Sequence, residues 1–322
     1  MVLFQILWND ILPLFVFFGM GWFLDSKFKI DILTYNKLTL QVVLPGFIFY
    51  SVYLYEPTRA DWLLIPSALV LLMGMYLISR FTGVVLGVGE DQEGLFRAVS
   101  TFGNAGNIGV ALILMMYSHE PFLSGSDAPY LAEARGAIVI LMLIMSLAVN
   151  TVGAALIGTK GLSMTAFLKT VVTMPAAWAA AAAIAARLVG FPAERTFVWP
   201  VLLHFASAFL VLVTVSVGVQ LHRAHLVRPC RFVWAAAVLK LMASPLVALW
   251  VIHILGGMNP VCAQVFFIVS AIPSSITLVM YASDYDVYPS LATQSVLFNT
   301  VLGTVTMTAV IYLARVLFPA AV

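Results

Sequence analysis

The sequence predicts an all-α integral membrane protein of ten transmembrane helices, built as two inverted five-helix repeats. Three observations predict it. Of the 322 residues, 62% are hydrophobic and only 9% charged, and the mean hydropathy is +1.05. A soluble domain carries charge on about a quarter of its residues, so the polar shell is missing and the apolar excess must face lipid. The apolar runs are also continuous and roughly twenty residues long, the length that crosses a hydrocarbon core as a helix. Finally, the basic residues alternate between loops in the way that orients membrane helices.

The expected spans are residues 7–24, 34–54, 62–86, 95–118, 135–157, 166–189, 197–220, 232–254, 260–282 and 289–316. In the first, Asn9-Asp10 ahead of Pro13 reads as a capped helix start, with ion binding by Asp10 as the alternative. Loops after odd-numbered spans, with their flanks, hold Lys27, Lys29, Lys37, Arg80, Arg97, Lys160, Lys169, Arg223, Arg228 and Arg231. The other face holds Arg59, Arg135, Arg187, Arg195 and Arg315. That bias predicts a multi-pass protein with both termini outside. The N-terminus lacks the features of a cleaved leader. The longest polar stretch, 119–134, reads as an external turn, and no stretch is long enough for an attached soluble or signalling domain.

Corresponding spans of the two halves begin roughly 160 residues apart. With five helices per half, the second half enters from the opposite side, which is the inverted repeat of many secondary transporters. Residues 1–157 form the expected first repeat and 158–322 the second, together one transporter unit.

Two spans in corresponding places should break. Span four contains Phe102-Gly103-Asn104-Ala105-Gly106-Asn107-Ile108-Gly109. Each glycine costs about 1 kcal/mol in a helix interior, and asparagine amides in hydrocarbon need partners. Span nine contains Ala271-Ile272-Pro273-Ser274-Ser275-Ile276, where proline removes a donor. Unwound backbone at membrane depth is tolerated where it lines a cavity, and its free N–H groups suit an anion. Asn104, Ala105, Gly106, Asn107, Pro273, Ser274 and Ser275 are therefore the candidate substrate-binding residues, and Gly103, Gly109, Ala111 and Pro273 candidate break positions. Close helix packing through small residues is the competing account.

These stretches resemble the auxin efflux carrier family, which includes plant PIN proteins and bacterial malonate and malate permeases. Span four, Asn104 to Leu112, is similar to the family's Asn-Thr-x-x-x-Gly-Ile-Pro-Leu. Span nine, with Ala271-Ile272-Pro273 and the later Tyr281-Ala282-Ser283-Asp284-Tyr285, is similar to its proline and Ala-x-(Glu/Asp)-Tyr ending. Val43-Leu44-Pro45-Gly46-Phe47 in span two is like its Leu-Pro-x-Leu-x-Phe. The resemblance implies broken helices four and nine crossing at mid-membrane, scaffold and transport subdomains, elevator-type movement, a homodimer, and here a bacterial inner membrane. It also implies that Asn104 contacts a substrate carboxylate and that Pro273 holds the second break. Ala111 stands where the family has proline, so the first break must rest on its glycines.

The acidic residues all fall in loops or near span ends, which argues against a mid-membrane carboxylate relay. Lys240 lies inside span eight and either snorkels to the interface or draws an anion. Asn150 and Asn299 read as interhelical hydrogen-bonding residues, and His204 and His253 as isolated packing residues. Cys230 and Cys262 show neither a disulfide framework nor metal-site spacing. No metal, cofactor or catalytic cluster is expected. A net charge of +2 without a basic tract leaves nucleic acid out. The expected partners are membrane lipid and a small organic anion, such as malonate, malate or an auxin-like acid, carried by alternating access. The alternative is a sodium- or proton-coupled organic anion symporter of the bile-acid-symporter type.

Overall fold

Helices come in thirteen pieces along the computed structural model, which describes residues 5–123, 128–158, 163–223 and 228–320. Lys160 and Asp127, and residues 1–4 of the leader reading, lie outside the described residues. The helices are α1 Leu7–Phe28, α2 Ile32–Leu54, α3 Asp61–Leu86, α4 Glu90–Thr101, α5 Ala105–Tyr117, α6 Leu131–Ile157 and α7 Met164–Thr173. They continue as α8 Pro175–Leu188, α9 Trp199–His222, α10 Arg231–Leu255, α11 Pro260–Ser270, α12 Thr277–Asp284 and α13 Pro289–Leu317. Among the described residues seven are long and apolar enough to cross a membrane, or eight if α7 and α8 form one bent span. No β-strand is present among them; two isolated residues form a single bridge.

The α7–α8 bend, 64°, divides the span expected over 166–189. Pro175 has no N–H to give the helix, and its ring drives the preceding residue out of the helical region. Met174 accordingly has φ −86° and ψ 106°. Prolines shape other helices more gently. Widened turns at 7–11, 39–43 and 239–243 each precede Pro13, Pro45 or Pro245 by two residues, absorbing the missing hydrogen bond without a break.

The start of α1 also corrects the reading of Asp10. The helix is already under way at Ile6, so Asp10 caps nothing. It is fully buried and accepts a 2.6 Å hydrogen bond from Arg315 near the end of α13. Asp31 is the cap, accepting from the N–H groups of Leu33 and Thr34 at the start of α2. The bonds to Thr34 hold its carboxyl below the usual range.

The helices sort into two groups by packing. In the first, α9 lies against α1 and α2, and α8 against α2. α1 and α9 touch backbone to backbone: a Cβ at Gly21 would sit 2.1 Å from the Val215 carbonyl, and one at Gly218 equally close to that of Phe18. Small residues allow such approach in lipid. Asp25 at the end of α1 takes Arg223 (2.6 Å) and His222 (2.8 Å) from the end of α9. The second group gathers α3 with α4, α6 with α5 and α11, and α10 with α3, α11 and α13.

Candidate functional site

The second group is organised around two interruptions. Between α4 and α5 only Phe102, Gly103 and Asn104 leave the helical path. Between α11 and α12 the interruption runs from Ala271 to Ile276. The two extended stretches pass each other antiparallel at Gly103 and Ser274. The Asn104 N–H donates to the Pro273 carbonyl at 2.8 Å, and the Ser275 N–H to the Phe102 carbonyl at 3.0 Å. Backbone groups freed by the breaks thus satisfy one another, as unwound chain at membrane depth requires.

Side chains lock this crossing from behind. The Ser274 hydroxyl donates to the Val99 carbonyl near the end of α4 and accepts from the Asn299 amide of α13 at 2.6 Å. Lys240 donates to the Ser270 carbonyl at 2.8 Å, beside the Ser244 hydroxyl at 2.7 Å. A donor at a helix C-terminus meets carbonyls that the helix itself leaves unpaired. Lys240 is 2% exposed, so it does not snorkel. A Cβ on Gly103 would lie 3.2 Å from Lys240 Cε and 3.3 Å from the Ile272 carbonyl. A side chain there would press on both by a few tenths of an ångström.

In front of the crossing lies a cavity of about 510 Å³, within the range of ligand sites. One wall is Gly103, Asn104, Ala105, Gly106 and Asn107 at the start of α5, with Ser275, Ile276 and Thr277 at the start of α12. The facing wall comes from the first group: Asn36 and Thr39 of α2, Pro175 at the bend, and Phe209, Ser216 and Gln220 of α9. The lining extends to Ile32, Leu33 and Asp284, at the end of the bundle opposite both termini. Ser216 donates to Asn36 at 2.8 Å and receives from Gln220 at 3.2 Å. Tyr281 donates to Asn150 at 2.7 Å along the side of the cavity.

Neither α5 nor α12 has a side-chain cap at its start. The first N–H groups of a helix have no partner within it, and here both starts face the same cavity. The Asn104 amide lines it as well and has no hydrogen-bond partner among the described residues. Fixed dipoles supply positive potential without a mobile charge.

The predicted residues therefore separate. Asn104, Ala105, Gly106, Asn107 and Ser275 line the cavity, while Pro273, Ser274 and Lys240 lie behind it, holding its wall. Gly109 and Ala111, expected at the break, are inside α5. Gly109 serves packing, since its Cβ would meet Ile272 Cδ1 at 2.8 Å. Asn299 and Asn150 make the interhelical bonds expected of them. The wall of Asn36, Ser216 and Gln220 went unread, because lone polar residues in apolar helices gave no local signal. So did a cluster at the terminal end, where Asp61, Glu133 and Cys262 bring ligand-type atoms within 4.8 Å of one another.

Long apolar helices, a hydrogen-bonded crossing of two broken ones, and a largely apolar cavity with polar groups on both walls between two helix groups are the features of a multi-pass membrane transporter. A family model described as membrane transport protein matches residues 6–166 and 162–311. The chain belongs to that family, the auxin efflux carriers and their PIN-like relatives. It is a family of transporters and not of enzymes. No curated protein matches the sequence significantly.

Proposed function

We propose that the protein is a secondary carrier of small organic anions, monocarboxylates or dicarboxylates, working by alternating access between its two helix groups. The observation that carries the proposal is the meeting of two uncapped helix starts, α5 and α12, at one cavity. A carboxylate placed there accepts from backbone N–H groups and the Asn104 amide, and the dipoles favour its charge. Asn36, Ser216 and Gln220 opposite supply neutral polar contacts that orient the rest of a substrate.

The reading includes ten spans, with α4–α5, α7–α8 and α11–α12 each one broken or bent crossing. Contacts between chain ends support that number by parity. Asp10 meets Arg315, so the number of crossings between them is even. Asp25 meets Arg223, so the number of crossings between the ends of α1 and α9 is also even, six on this reading, with three more to follow. Residues 1–157 and 158–322 are then inverted repeats, and the first group (α1, α2, α8 and α9) is the scaffold past which the second moves as an elevator. The excess of basic residues on the face opposite the termini supports placing that face inside. The cavity then faces inward, in a bacterial inner membrane, with a homodimer as the assembly.

The test is Asn104→Ala in proteoliposomes with a panel of carboxylates. A charge-assisted hydrogen bond contributes about 1.5–3 kcal/mol, so uptake should fall at least tenfold while the melting profile in detergent is unchanged. Undiminished uptake in the folded variant removes the site assignment.

A further inference from the structure

The boundary between the two helix groups differs from end to end. Along α1 it is apolar: Ile11, Leu14 and Phe18 face Ile108, Leu112 and Met307 across a narrow cleft. Such a surface can slide with little change in energy, since no directional contact is broken. Among the described residues an ion pair crosses it only at the terminal end, Asp10 of α1 to Arg315 of α13 at 2.6 Å. Every other ion pair among the described residues stays within one group: Asp25 with His222 and Arg223, Arg187 with Glu56, and Arg97 with Glu93.

We infer that Asp10 and Arg315 form a latch that holds the terminal side of the carrier shut while the cavity is open on the opposite side. This rests on the alternating-access reading above. Arg315 is anchored in its own group. Its guanidinium lies 5.2 Å from the Phe122 ring centre, Phe122 packs on Tyr117, and Tyr117 donates to Gln264 of α11 at 2.8 Å. Asp10 rides on the other group. Asp10 Oδ1 and Arg315 Nε are buried without a partner. Among the described residues no other hydrogen-bond partner thus compensates for separation of the pair within the closed boundary, and beyond it Asp10 has only the more distant electrostatic influence of His119. Taking one charge away leaves the other buried and unmatched, which is costly. Water entering the opened terminal side rehydrates both. The latch is therefore stable when the terminal side is dry and released when it is wet, which makes the boundary bistable.

The experiment reads exposure of the boundary and not transport. Met307→Cys, buried in the cleft, is placed in a Cys230→Ser, Cys262→Ser background in proteoliposomes and treated with a membrane-impermeant maleimide from the terminal side. Labelling should be slow with the pair intact and at least fivefold faster with Asp10→Asn or Arg315→Gln. The exchanged pair, Asp10→Arg with Arg315→Asp, should restore slow labelling. Equal rates in all folded variants overturn the latch, as does an exchanged pair that labels as fast as Asp10→Asn. If Asp10→Asn fails to fold, the exchanged pair with slow labelling still supports the inference. Because labelling needs no substrate, a carboxylate panel that gives no uptake removes the substrate assignment and leaves this result standing.

Discussion

The two interruptions that meet at the centre of the molecule reach the same geometry by different chemistry. The first is three residues long and depends on what is absent, a side chain at Gly103. The second is six residues long and depends on what is present, Pro273 with the hydroxyl of Ser274. In the first, the missing Cβ lets the unwound backbone pass close to Lys240 and the Ile272 carbonyl. In the second, the chain leaves because Pro273 has no donor to give, and the Ser274 hydroxyl ties the departed chain to the Val99 carbonyl of α4. A break made by close approach should be brittle, and one made by several redundant contacts tolerant.

The sharpest way to break the comparison is Gly103→Val. The new side chain meets Lys240 and the Ile272 carbonyl; Lys240 can yield only by loosening its bond to the Ser270 carbonyl, and the Ile272 carbonyl only by shifting the backbone next to the Pro273 carbonyl that accepts from Asn104. Overpacking costs typically 1–3 kcal/mol, and here a loss of about 3 kcal/mol is expected, together with loss of uptake. A melting curve in detergent checks it. A stable, active Gly103→Val protein would mean that the crossing is far looser than its hydrogen bonds imply.

Asn299→Ala tests the second break through its most buried support. It removes the donor to Ser274 while the hydroxyl keeps its bond to the Val99 carbonyl. The expected cost is about 1 kcal/mol, the net value of a hydrogen bond, read as a lower melting temperature with uptake retained. A loss as large as that of Gly103→Val would place the two breaks on an equal footing.

The contrast also explains how much could be read from the chain. Both interruptions were legible, because glycine with asparagine, and proline with serine, are poor company in lipid whatever surrounds them. Their extent was not. Gly109 and Ala111 continue α5 because the break needs a crossing partner, and Ser274 faces Gly103, not Gly109. Lys240 could be read as a surface-seeking cation only while its acceptor, the Ser270 carbonyl thirty residues away, was unknown. Asp10 looked like a cap for the same reason: Arg315 is 305 residues distant. The polar wall of Asn36, Ser216 and Gln220 joins residues about 180 apart, and nothing in either local stretch names the other. Local chemistry announces where a helix fails, and distant partners decide what is done with the failure.

The smallest effect is expected from Pro273→Ala, the substitution that sequence reasoning alone would rank among the most damaging. Alanine restores an N–H, and in an isolated helix that would favour closing the break. Three contacts oppose it here. The residue 273 carbonyl still accepts from Asn104, the Ser275 N–H still reaches Phe102, and Ser274 is still held between Val99 and Asn299. Continuing α11 through this point would forfeit all of them. The ring's removal also leaves a small void beside Gly303, whose Cβ position lies 2.6 Å from Pro273 Cγ. A partly buried void of that size costs about 1 kcal/mol. Pro273→Ala should therefore lower stability by no more than about 1 kcal/mol and keep most of the uptake, and Gly303→Ala in the same background should be accepted where alone it clashes. Abolished uptake in folded Pro273→Ala would show that proline, and not the crossing itself, keeps the second helix open.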